Sequence, residues 1–225
     1  FRFSNGLTSR YYAEDFPEKF RYKYSLISAG STMSSDYRDV LGLNDCFVMG
    51  DSGGYQICSG AMKWDIKYRD KIFRWLEENS DVAVNLDIPP RMKYAGKFNE
   101  CLNISKENFK YFADNQTGKT KFLNVLHGND PESYSQWYNK VKDFPFRGWS
   151  IGGVNGNIFR LMSGVLTLIE NKEHLKENVE YIHFLGTTRI MDCFAIIQVQ
   201  KSLENIGSKA IVTTDSSSPD RAVVF

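Results

Sequence analysis

Asp45-Cys46-Phe47-Val48-Met49-Gly50-Asp51-Ser52-Gly53-Gly54-Tyr55-Gln56 reads as a short apolar strand that runs into a carboxylate and a pair of glycines. The same pattern recurs along the chain. Apolar or β-branched runs at 24–28, 45–49, 82–86, 121–126, 148–151, 181–185 and 210–214 alternate with amphipathic stretches at 66–79, 98–115, 131–143, 158–170 and 189–205. Such alternation predicts parallel strands joined by helices. In the first of these long helices Ile66, Ile72, Phe73 and Leu76 are expected to share the buried face. Pro131 suits a first helical turn, where its missing N–H costs nothing.

A doubly wound sheet and a TIM (β/α)8 barrel both fit this order, and the residues that follow the strands separate them. They are Asp51-Ser52-Gly53-Gly54, Asp87-Ile88-Pro89-Pro90, His127-Gly128, Gly152-Gly153, Gly186-Thr187 and Asp215-Ser216-Ser217-Ser218. An open sheet gathers its site at one switch point, whereas a barrel draws on the carboxyl ends of many strands. The expectation is therefore an α/β TIM barrel, incomplete or trimmed in these 225 residues, with 1–225 forming a single domain. The chain starts at Phe1 rather than Met and stops at Phe225 just after a chemically suggestive loop, so it is expected to be the core of something longer.

Composition bounds the function classes. With 42% hydrophobic and 24% charged residues the chain belongs with globular proteins rather than disordered or collagenous ones. Lys plus Arg total 28 against 27 for Asp plus Glu, so a polyanion would have to be held by a local patch rather than by the overall field. No apolar run approaches a membrane span and no signal segment opens the chain, so a cytoplasmic protein without a membrane partner is expected. Cys46, Cys58, Cys101 and Cys193 lack the close spacing that gathers thiolates around zinc and are read as reduced core residues. His174 and His183 have no partner visible in sequence and are read as ordinary structural residues.

Three aspartates carry the chemistry. Glycines after Asp51 let backbone amides and a ligand approach closely, although a tight turn between strand and helix explains the pair equally well. Two prolines after Asp87 would stiffen an acidic loop, and a turn or cap aspartate is the plainer alternative. Asp215 precedes three serines whose hydroxyls could keep a carboxylate ionised. Crowded carboxylates shift one another's proton affinity, so one can act as base while another attacks an anomeric carbon. By residues alone this points to glycosyl transfer or hydrolysis through an oxocarbenium-like state.

At these positions the chain resembles the tRNA-guanine transglycosylase family of the queuine and archaeosine type. Asp51 to Gln56 is similar to its DSGG-F/Y-Q motif, and Leu86-Asp87 with the following prolines resembles its aspartate loop. Val125-Leu126-His127-Gly128 resembles its VQG segment, Ser150-Ile151-Gly152-Gly153-Val154 its AIGG-L/V, and Phe184-Leu185-Gly186 its LMG. Asp215-Ser216-Ser217-Ser218-Pro219-Asp220-Arg221 looks like DCVxPTR with the nucleophile first. The matches keep the family's order and span about three quarters of the chain.

The resemblance implies a TIM barrel that exchanges guanine in a nucleic acid for a free 7-deazaguanine, without a cofactor. Asp215 would attack C1′ of the target nucleotide, and Asp51 would act as general acid and base. Asp87 would accept the amino and ring N–H edge of the base, with the Gly153 amide and His127 at its carbonyl. Tyr55 and Leu185 would sandwich the ring, and Ser52, Gly152 and Gly186 would complete the pocket. Arg91, Lys93 and Lys97, interleaved with Tyr94, are read as phosphate and stacking contacts together with Arg221, a solvated charged loop being the alternative for the lysines.

Departures sharpen the expectation. His127 stands where the family has Gln, Leu185 where it has Met, Ser216 where it has Cys and Asp220 where it has Thr. The family's zinc motif is not found in these residues, so zinc enters only if the chain extends beyond Phe225. Relatives that modify DNA, chiefly those of phages and bacteria, diverge more from the tRNA enzymes, and this favours DNA over tRNA as substrate, with the host cytoplasm as location for a phage protein. Competing readings are the same exchange on tRNA, a non-catalytic nucleic-acid-binding subunit, and a glycoside hydrolase using two of the aspartates. A dimer is compatible with the sequence, which does not determine the oligomeric state.

Overall fold

A computed structural model describes residues 17–33, 38, 43, 45–153, 157–187 and 189–215. It divides into two compact units, Phe1–Lys121 and Phe122–Phe225. Both are α/β, with parallel strands that alternate with helices. Among the described residues no helix is long and apolar enough to cross a membrane.

The first unit is built on β1 (Tyr24–Ser28), β2 (Phe47–Asp51) and β3 (Val82–Val84). They pair in parallel in sequence order, with Ser28 opposite Asp51 and Gly50 opposite Ala83. The helices α1 (Ala29–Thr32), α2 (Gly54–Ser59), α3 (Lys67–Asn79) and α4 (Phe98–Asn115) accompany them. Helix α3 buries Ile72, Phe73, Trp75 and Leu76, and the Phe73 ring meets Phe112 of α4 edge-on at 5.1 Å. Ile66 does not join that face: it precedes the helix and is 58% exposed. Strand β2 runs two residues further than its apolar pattern suggests, so Asp51 ends the strand rather than following it. Strand β3 is shorter than its apolar run because Asn85 leaves the ladder. Its Oδ1 accepts from the Leu86 amide and its carbonyl accepts from Ser52 Oγ, so the backbone turns there.

The second unit holds β4 (Lys121–Leu126), whose first residue belongs to the first unit, then β5 (Gly148–Ile151), β6 (Tyr181–Phe184) and β7 (Ile211–Thr214). These also pair in parallel in sequence order. Helices α5 (Pro131–Val141), α6 (Ile158–Glu170) and α7 (Ile190–Asn205) follow β4, β5 and β6. On the helix side of the sheet Trp149 donates to Glu173, which also accepts from Tyr138, and Ile151 lies against Gly164 of α6. Of the cysteines read as core residues, Cys58 and Cys101 are buried, Cys46 is half-buried and Cys193 on α7 is exposed. Burial pushes the Cys101 thiol up to about 12, which leaves it inert at neutral pH.

Helix α5 shows how local sequence sets these boundaries. Asp130 caps it by accepting from the Ser133 amide at 2.8 Å, the Asp130 amide donates to Ser133 Oγ in return, and Pro131 occupies the first turn as expected. The hydrogen bond from the Ser133 amide holds the Asp130 carboxyl below its ordinary value. Asp130→Ala is expected to lower stability by about 1 kcal/mol at neutral pH in urea denaturation. A depressed carboxyl stabilises only above its unfolded value, so the gap between variant and wild type is expected to close as pH falls through the folded value.

Candidate active site

In the first unit the strand ends bring a hydrogen-bonded carboxylate and a rigid acidic loop to the DSGG turn. Asp51, half-buried at the end of β2, accepts from Ser28 Oγ at 2.7 Å and from the Gly53 amide at 3.2 Å. Gln56 Nε2 donates to the same Ser28 hydroxyl at 3.3 Å, so the motif's last residue steadies its first through a serine on β1. Ser28 was not singled out from the sequence, because its partner lies 23 residues away. The β1–β2 register, in which Ser28 and Asp51 are opposed, is the signal that locates it. Ser52 is fully buried and its hydroxyl donates to Asn85 O at 3.0 Å, which commits it to holding the loop.

Asp87 is 3% exposed and packs on the other end of the same turn. A Cβ on Gly54 would stand 2.7 Å from the Asp87 carbonyl oxygen and 2.8 Å from its Oδ1, closer than real contacts allow. The second glycine is therefore what lets the Asp87 loop sit down on α2. The Ile88 amide donates to Ser105 Oγ of α4 at 2.9 Å and secures the loop from behind. Tyr55 is 49% exposed, and the Arg91 guanidinium lies 5.2 Å from its ring centroid. Lys93 and Lys97 flank the Tyr94 ring at 5.3 and 5.9 Å, and Lys97 shares its charge with Glu100 at 3.3 Å. The loop is thus a basic, aromatic surface beside a buried carboxylate.

The second unit places His127, Gly152, Gly153, Leu185, Gly186 and Asp215 at the ends of its four strands. His127 is buried, edge-on to Trp137 at 4.9 Å. A Cβ on Gly152 would strike the His127 ring 2.3 Å from Cε1, so an imidazole at 127 needs glycine at 152. Arg160 Nη1 reaches the Gly153 carbonyl at 3.5 Å. Leu185 is half-buried, and its amide donates to Ile151 O at 3.0 Å.

Asp215 follows β7 and receives the Gly186 amide on Oδ1 at 2.7 Å. His183 Nε2 stands 3.3 Å from that oxygen, while its Nδ1 is 2.9 Å from Thr213 Oγ1. Burial alone would raise the Asp215 carboxyl, but the His183 ring and the Gly186 amide outweigh it and hold the group below its ordinary value. Asp215 therefore stands ready as an anion at neutral pH. His183, an ordinary structural residue by sequence, is in fact the neighbour of the proposed nucleophile. The three serines expected to hold Asp215, with Val154 and Arg221, lie outside the described residues.

Among the described residues no three His, Cys, Asp or Glu side chains gather as a metal site. No protein-family model matches the chain, and no curated protein sequence does. Gly54→Ala is expected to destabilise the protein by about 1–3 kcal/mol, the usual cost of forcing atoms into a packed site. That exceeds the gain of at most about 1 kcal/mol from replacing glycine in a helix. Chemical denaturation measures the balance, and an unchanged midpoint would show that the Asp87 loop is not seated on Gly54.

Proposed function

We propose that the chain exchanges guanine in a nucleic acid, DNA in preference to tRNA, for a free 7-deazaguanine, on a scaffold of the trimmed TIM-barrel type and in the cytoplasm. The observation that carries the proposal is the Asp215 carboxylate, ionised at the end of a parallel strand with an amide and an imidazole against one oxygen. A carboxylate so held is a usable nucleophile at C1′. Support also comes from Asp51 and Asp87, ordered by one glycine turn beside an exposed tyrosine and a basic loop.

The chemistry balances without a cofactor. A carboxylate oxygen of Asp215 forms an ester bond to C1′ as the bond from C1′ to guanine N9 breaks, and the departing base takes a proton from the Asp51 carboxylic acid. The 7-deazaguanine then gives its N9 proton to the Asp51 carboxylate and attacks C1′, which releases Asp215 as the free anion. The energy of one glycosidic bond is kept in the ester and returned to the next. Asp87 would accept the amino and ring N–H edge of the base, Tyr55 would stack on its face, and Arg91, Lys93 and Lys97 would meet phosphates. His127 and the Gly153 amide would read the carbonyl, with Leu185 on the opposite face of the ring.

Incubation with labelled guanine or a 7-deazaguanine, separately with single-stranded DNA, duplex DNA and tRNA, tests this directly. Label is expected to enter DNA, and Asp215→Asn is expected to reduce incorporation by about 10³-fold or more, the scale on which a covalent nucleophile is lost. Label in tRNA alone would overturn the preference for DNA. Binding of nucleic acid with no label in any polymer would mark a non-catalytic subunit, and a denaturant-stable adduct formed by Asp215→Asn would overturn the choice of nucleophile.

A further inference from the structure

The geometry points to His183 as a positioning residue for Asp215. Its ring, set in one tautomer by the Asp215 carboxylate with Thr213 donating to Nδ1, turns Nε2–H toward Oδ1 and directs attack to Oδ2. The tautomer stands on contacts within the second unit; its catalytic consequence rests on the transglycosylase proposal.

Strand register places the group. Ser150 is opposite His183 and His183 is opposite Thr213, so the three side chains share one face of the sheet. Trp149 and Ile151 contact the helix side, so Ser150 and its row face the other way. His183 is 1% exposed, and a buried imidazole needs a role for each nitrogen. A hydroxyl can donate or accept, so Thr213 at 2.9 Å from Nδ1 permits both tautomers by itself. Asp215 decides between them. Were Nδ1 to carry the only proton, the Nε2 lone pair would face a carboxylate oxygen at 3.3 Å, which is repulsive. Thr213 therefore donates to Nδ1, and Nε2–H faces Asp215.

Two consequences follow for Asp215. Among the described residues both the Gly186 amide and the His183 ring address Oδ1, which leaves Oδ2 as the attacking atom. A second proton on His183 would place a full cation 3.3 Å from the carboxylate and force the Thr213 hydroxyl to reverse, which draws electron density from the nucleophile. Among the described residues of the unit, Asp215 is the charged group facing the ring. Strand β5 contributes the uncharged Ser150, β7 the uncharged Thr213, and β6 itself Tyr181 two residues earlier.

Nitrogen-resolved NMR of the imidazoles tests the tautomer without any assay of activity, and with 3 histidines in the chain the signals are few. A protonated Nε2 with a bare Nδ1 is expected, with that preference kept in Thr213→Val and weakened in Asp215→Asn, whose neutral amide can face either tautomer. Protonated Nδ1 with bare Nε2, or a tautomer preference unchanged in Asp215→Asn, would overturn the assignment. Rates of adduct formation test the consequence. His183→Gln can still donate to Oδ1 and is expected to stay near the wild-type rate, whereas His183→Leu, which cannot, is expected to lose about 10–100-fold, the scale of one hydrogen bond to an ionised group. A His183→Leu rate equal to wild type would overturn the catalytic role. Should no adduct form in any variant, the transglycosylase proposal fails, and the pairing of His183 with Asp215 is decided by the ring signals.

Discussion

Parallel strand pairing is the constraint on which the rest depends. In each unit it brings the carboxyl end of every strand to the same edge of its sheet, and the return through a helix repeats that placement at each step. Register then determines which side chains meet. Because the last residue of β1 is opposite the last residue of β2, the Ser28 hydroxyl is delivered to Asp51. Because His183 is opposite Thr213, its ring lies one step below Asp215 and reaches it from the neighbouring strand. The candidate chemistry is a product of this pairing.

Holding carboxylates at such an edge is costly unless donors replace water. A buried, uncompensated charge costs several kcal/mol, whereas each hydrogen bond to an ionised group returns roughly 1.5–3 kcal/mol. The donors here are backbone amides and small hydroxyls: Gly53 and Ser28 for Asp51, Gly186 for Asp215. Amides come with the turn and need no side chain to be ordered, which is why glycine is concentrated where strands meet helices. The exception is His183, whose imidazole Nε2 stands beside Asp215 where an amide or hydroxyl would otherwise serve.

Local patterns in the sequence were informative where burial is repetitive. The strand and helix positions follow from apolar periodicity, and the Pro131 start of α5 from the missing N–H of proline. They were less informative where a side chain competes with the ladder. Asn85 ends β3 early by taking its neighbour's amide, an effect that periodicity does not carry. Ile66 has the right spacing but stands before the first turn of α3, and Cys193 is a small apolar residue on an exposed face of α7. Spacing says which residues can share a face, and packing decides which face is covered.

The sequence by itself determined the alternation of strands and helices, and it put Asp51, Asp87, His127, the Gly152 pair, Gly186 and Asp215 at strand ends, because both depend on local periodicity and on where glycine and proline interrupt it. Only the tertiary structure decided what holds those groups. Ser28 and Asp51 are 23 residues apart and His183 and Thr213 are 30 apart, and such pairs exist only once the strands are in register. The physical reason is that a hydrogen bond between strands is set by the pairing of two backbones, and neither backbone's sequence records the other.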